Sequence, residues 1–296
     1  MDRRNTGPRS GYDLRIGLFG INYGACADIR VAAAVARAAE SAGFDSIWTG
    51  EHVVLPDPPV AASPVPASVP FLDPAVALAA LAQHTEHILL GTGIIILPQR
   101  NPLVLAKEMA SVDVVSGGRL LFGVGIGYLE PEFRALGIPF EDKGARTIDF
   151  LRAIRAIWTE EKPAYDGRFV SFSGVNAFPR PVQKPHPPIV FGGHTRAAFG
   201  RAVEHATGWY GFALDVAATA RCVEGLKAAS AKHIRGAGLC RLEISVTPMP
   251  GLPDLETVRR YADLGVDRLI LLPGVASGEE LLEFVAAAGR TLVGRL

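Results

Sequence analysis

Ile16-Gly17-Leu18-Phe19-Gly20 opens a unit that closes at Ser46-Ile47-Trp48-Thr49, with a helical stretch between the two runs. Both runs are apolar without a break, which suits parallel strands covered on both faces. Asp28 opens the intervening helix, Val31, Val35, Ala38, Ala39 and Ala42 share one side of it, and Gly43 stops it. The same strand-then-helix unit recurs down the chain. Further strands are predicted over residues 88–92, 120–124, 189–192, 209–212, 242–246 and 268–272. Helices begin at Asp73-Pro74 and Asn101-Pro102, each an N-cap followed by proline in the first helical turn. Another repeats Ile148, Leu151, Ile154 and Trp158, and the last opens with the capping box Ser277-x-x-Glu280. Eight strands alternating with eight helices predict an α/β fold, the (β/α)8 TIM barrel, with a doubly wound open sheet as the rival.

Two segments break the rhythm. Residues 55–70, rich in Pro, Ala, Ser and Val, follow the second strand on the side where a barrel carries its active-site loops, and read as a lid or rim. Residues 161–188, before the fifth strand, read as a small hairpin insertion, 164–167 turning into 168–172, with a proline-rich return. Residues 1–12 are polar and are expected to form a flexible N-terminal tail ahead of one domain over 13–296.

The composition narrows the function. Of 296 residues 49% are apolar, enough for a core that needs neither metal nor disulfide. Thirty basic residues balance thirty acidic ones, so no electrostatic footprint for nucleic acid or an anionic membrane is expected. No apolar run reaches the roughly 18 residues of a membrane span, and no signal peptide is read at the start. Cys26, Cys222 and Cys240 are few and scattered, which argues for a reducing, cytoplasmic setting and against a thiolate metal site.

In a barrel the chemistry lies where strands end. Those ends offer Gly20-Ile21-Asn22-Tyr23-Gly24, Gly50-Glu51-His52, Gln99-Arg100-Asn101, Gly125-Ile126-Gly127-Tyr128 and Gly192-Gly193-His194-Thr195-Arg196. No paired histidines end the first strand, no lysine stands at a strand end for a Schiff base, and no metal site is expected. Glu130 and Glu132 lack a convincing carboxylate partner for glycoside hydrolysis. His84 and His87 read as solvated. Gly192-Gly193 ahead of a helix leaves N–H groups able to face a phosphate, or makes an ordinary tight turn. Gly123-x-Gly125-x-Gly127 lacks the spacing of a dinucleotide fingerprint.

Five ordered motifs together resemble the luciferase-like monooxygenase superfamily, and within it the branch using the deazaflavin coenzyme F420. They are Ala42-Gly43-Phe44-Asp45-Ser46-Ile47-Trp48 with Glu51-His52; Gly91-Thr92-Gly93-Ile94 through Leu97-Pro98-Gln99-Arg100-Asn101-Pro102; Ser116-Gly117-Gly118-Arg119 leading to Gly123-Val124-Gly125-Ile126-Gly127, with Glu132-Phe133; Pro181-Val182-Gln183-Lys184-Pro185-His186-Pro187-Pro188-Ile189; and Gly192-Gly193. The resemblance implies an oxidoreductase with a flavin-type ring in the barrel mouth, coenzyme F420 first and FMN as the alternative, and a small-molecule substrate. It implies a cis peptide at Gly93-Ile94 behind the ring, ring contacts at Ile96, Ile126, Gly127 and Tyr128, and a phosphate on Gly192, Gly193, Thr195 and Arg196. Glu51 and His52 match an acid–histidine pair beside the ring; the resemblance gives His52 the substrate proton, and Glu51 orients it or bonds the ring. With FMN, Arg100 or Arg196 would serve the phosphate. Tyr128 stands where the sugar-phosphate dehydrogenases of this branch carry an acid, and a phenol with a pKa near 10 is a poor base at pH 7. Many relatives are dimers, so a homodimer is expected. A non-catalytic cofactor-binding protein is the reading outside enzymes.

Overall fold

The apolar runs form strands, and a helix follows each one on the outside of a closed ring. The computed structural model describes residues 14–236 and 238–295; the tail expected over 1–12 lies outside the described residues. Strand β1 (Arg15–Phe19) leads to α1 (Ile29–Ser41), and β2 (Ser46–Thr49) to α2 (Pro74–Ala82). Next come β3 (Leu89–Thr92), a two-residue strand β4 (Ile95–Ile96) and α3 (Pro102–Val115). After β5 (Leu120–Gly125) stand a short helix α4 (Glu130–Ala135) and the long α5 (Lys143–Thr159). A hairpin of β6 (Tyr165–Asp166) and β7 (Ser171–Phe172) precedes β8 (Ile189–Gly192) and α6 (Arg196–His205). The chain continues through β9 (Gly208–Gly211), α7 (Val216–Ser230), β10 (Glu243–Val246) and α8 (Leu255–Asp263). Strand β11 (Arg268–Leu271) and α9 (Gly278–Thr291) complete it.

All strands of the large sheet run parallel, in the order β3-β2-β1-β11-β10-β9-β8-β5-β4, and a β3–β5 pairing joins the two sides. That closure excludes the open-sheet rival. The helix signals hold in detail: Asp28, Asp73, Asn101 and Ser277 each accept a backbone N–H as N-caps. Strand β4, helix α4 and the short 3-10 turns at Gly24–Ala27 and Leu97–Gln99 were not foreseen, and the hairpin falls inside its expected span. Residues 55–70 contain neither helix nor strand and are mostly exposed. No described helix is long and apolar enough to cross a membrane.

Side chains alternate between two cores along each strand, as a pleated backbone requires. Leu18, Ile47, Leu90, Phe122, Phe191, Trp209 and Leu269 face the helices. Phe19, Trp48, Leu121, Val190, Tyr210 and Ile270 fill the barrel itself. The end where the strands start is sealed by charge. Arg268, buried in β11, pairs with Asp45 at 2.9 Å and with Glu243, and its guanidinium lies 5.8 Å from the Trp48 ring centre. Burial works against that charge, but the two carboxylates outweigh it and hold the arginine above its ordinary pKa.

Candidate active site

Strand C-termini and helix N-termini meet at the opposite end, and a buried asparagine ties three of them together. Asn22 Nδ2 donates to the carbonyls of Gly50 (2.9 Å) and Leu72 (2.7 Å), while its Oδ1 accepts the Gly50 N–H at 2.9 Å. The loops after β1 and β2 and the entry to α2 are thereby fixed.

Beyond Gly50, Glu51 and His52 diverge. The Glu51 carboxylate is buried, bonded to the Arg100 guanidinium and the Ile96 N–H. Arg100 reaches on to Asp73 at 2.7 Å. Burial pushes the Glu51 carboxyl up, an effect the nearby guanidinium only partly offsets. Arg100 is itself opposed by burial, yet Glu51 and Asp73 keep it above its ordinary value. Glu51 therefore braces β2 against β4 and α2, and Arg100 is already occupied by carboxylates.

His52 has a different partner from the expected one. Its Nδ1 lies 3.2 Å from Glu132 Oε2, and the Glu132 side chain is fully buried. The other oxygen of Glu132 accepts the N–H groups of Val53 (2.7 Å) and Val54 (3.4 Å). A carboxylate so held accepts a hydrogen bond from Nδ1–H, and Nε2 is the ring nitrogen without a partner among the described residues. The ring stands edge-on to Phe71 and Tyr128, with centres 6.0 and 6.1 Å away. Tyr128 is 54% exposed, and its phenol is pushed up by partial burial and then by Glu132.

The peptide between Gly93 and Ile94 is cis, as the resemblance implied. The Ile94 side chain rests against two residues without β-carbons: one added at Gly125 would lie 2.6 Å from Ile94 Cδ1, and one at Gly192 3.1 Å from Cγ2. A β-carbon at Gly127 would lie 2.6 Å from Ile96. Gly93, Ile94, Ile96, Gly127 and Gly192 thus gather in one patch, with Ile126 half-buried after β5.

At α6 the Thr195 hydroxyl caps the helix by accepting the Ala198 N–H at 3.2 Å. The Gly193 N–H donates to the Tyr210 carbonyl at 3.3 Å, so this amide is not the free donor the glycine pair suggested. Arg196 and Ala197 remain exposed at the helix start. His194 Nε2 accepts the Phe212 N–H at 3.0 Å, and burial lowers its pKa.

Other prominent motif residues are fastenings. Arg119 binds the carbonyls of Ala82, Thr85, Ile88 and Ser116. Gln183 binds both oxygens of Asp113. Sequence reading missed Asn22 and the partnership of Glu132 with His52. The Glu132-Phe133 motif was visible, but nothing local points across 80 residues.

The sequence model of the luciferase-like monooxygenase family matches residues 14–273. The chain belongs to that family. It is an oxidoreductase of the luciferase-like kind, and the non-catalytic reading falls away. An uncharacterized protein of Mycobacterium tuberculosis is 34% identical over 250 residues, 80% of this chain and 85% of that protein. The FMNH(2)-dependent dimethylsulfone monooxygenase of Pseudomonas putida is 35% identical over 131 residues, 43% of this chain and 34% of that one. An F420-dependent secondary alcohol dehydrogenase, solved with an F420-acetone adduct, shares the fold with a TM-score of 0.75 at 14% identity, over 94% of this chain and 98% of that one.

Proposed function

We propose that the barrel mouth holds coenzyme F420 and that the protein moves a hydride between this deazaflavin and a small organic substrate. The observation that carries this reading is the His52–Glu132 pair beyond the end of β2, which leaves the second imidazole nitrogen without a hydrogen-bond partner among the described residues. Hydride exchange with a carbonyl or alcohol carbon requires a proton on or off the substrate oxygen. Imidazole is the side chain suited to both directions near neutral pH.

The residues present fit such a cofactor. The missing β-carbons of Gly125 and Gly192 let Ile94 and its neighbours form a low wall for a flat ring. Gly93, Ile94, Ile96, Ile126, Gly127 and Tyr128 would border the ring. Gly192, Thr195, Arg196 and the first N–H groups of α6 would hold a phosphate, where the helix dipole favours negative charge, while Gly193, its N–H bonded to Tyr210, shapes the turn. When bound, the deazaflavin supplies the two-electron chemistry. Glu132 orients His52, and His52 holds or releases the substrate proton at Nε2.

The 35% identity to an FMNH(2)-dependent monooxygenase favours a second reading, FMN in the same mouth. Fluorescence titration with oxidised F420 against FMN as competitor separates the two. Tight F420 binding that FMN does not displace is expected; exclusive FMN affinity reverses the order.

A further inference from the structure

Aromatic rings run in sequence around one side of the mouth. From Tyr128 the series passes to His52 and to Phe71. Phe71 stacks on Tyr23 with centres 4.9 Å apart, Tyr23 stands 6.2 Å from Phe19, and Phe19 stands 5.0 Å from Phe212. Phe19 is buried at the base of this arc, while Phe212 and Tyr128 are exposed at its ends. Exposed rings that line a concave strand end, rather than packing away, are the usual substance of small-molecule sites.

The charges beside the arc are already matched. Glu51, Arg100 and Asp73 satisfy one another, and Glu132 is taken by His52 and two backbone N–H groups. A carboxylate brought against the arc would lose water and find the nearby guanidinium of Arg100 already taken by Glu51 and Asp73. Besides the exposed Tyr128 hydroxyl and His52 Nε2, a polar tip remains at Tyr23. Tyr23 folds back over Gly20, whose φ of +92° suits glycine and whose β-carbon would stand 3.0 Å from the tyrosine ring. Among the described residues the Tyr23 hydroxyl has no hydrogen-bond partner. Burial raises its pKa, so it is present as a donor.

We infer that this arc is the substrate subsite, and that it selects an uncharged, apolar molecule bearing a carbonyl or hydroxyl oxygen, which accepts the Tyr23 hydroxyl. The inference rests on the mouth being the active site and names the substrate class for it. The apolar body lies against Phe19, Phe71 and Phe212; Tyr23 supplies orientation and is a substrate-binding residue that sequence reading did not select.

Saturation-transfer NMR on the full chain, with and without F420, tests this with three probes: cyclohexanone, methylcyclohexane and 4-oxocyclohexanecarboxylate. Cyclohexanone is expected to bind at least about tenfold more tightly than the carboxylate. Tyr23→Phe should weaken cyclohexanone about three- to tenfold, the scale of one hydrogen bond, and leave methylcyclohexane unchanged. Phe71→Ala should weaken both neutral probes. Equal binding of the carboxylate, no binding of cyclohexanone, or indifference to Tyr23→Phe overturns the inference. Probe binding by a protein that takes up no F420 would instead sink the cofactor reading and leave this one standing.

Discussion

Two adjacent residues, Glu51 and His52, divide structural support from the proposed chemistry. His52 faces Glu132 with Nε2 unbonded, so its loss should strike turnover and not assembly. His52→Ala is expected to lower kcat by about 10²–10⁴, with cofactor affinity within a few-fold of the parent. Glu132→Gln keeps the shape of the side chain but weakens the acceptor that orients the His52 ring, and is expected to lower kcat by a smaller factor than His52→Ala. Steady-state rates, with cofactor binding by fluorescence, check both. The sequence placed His52 at a strand end beside Glu51, but could not show that the acid it meets is Glu132, 80 residues on.

At the scale of elements, Glu51 joins the end of β2 to the N–H of Ile96 in β4 and, through Arg100, to Asp73 at the start of α2. Glu51→Ala leaves Arg100 part-buried with Asp73 alone. A loss of about 3–5 kcal/mol is expected, the cost of breaking a buried ion pair, reduced to the extent that Arg100 relaxes towards water. Urea unfolding measures it. The strands and main helices were legible because each announces itself locally, by an unbroken apolar run or by a cap such as Asn101-Pro102. Strand β4 escaped because two residues carry no period. Helix α4 escaped because Glu130-Pro131-Glu132 reads as a polar turn. The glycines were legible as a cluster, but only the folded barrel shows that Gly125 and Gly192, 67 positions apart in the chain, both serve the Ile94 side chain.

For the whole molecule, two histidines set an acid limit. Burial lowers the pKa of His186 and His205 from an ordinary 6.5; neighbouring arginines add to the effect, and Glu204 opposes it only in part at His205. Below about pH 6.5 the unfolded chain takes up protons that the folded chain refuses, so stability rises with pH through that window and levels off above it. Thermal melting should therefore show Tm falling as pH drops from 7 to 5. Replacing His186 and His205 with glutamine should flatten the dependence.

The ionic seal formed by Arg268, Asp45 and Glu243 has a consequence for traffic. Together with the packed interior above it, this stopper makes the cylinder a cul-de-sac. Guests arrive and depart through a single doorway, so one lodged deeper waits for whatever lies over it to leave.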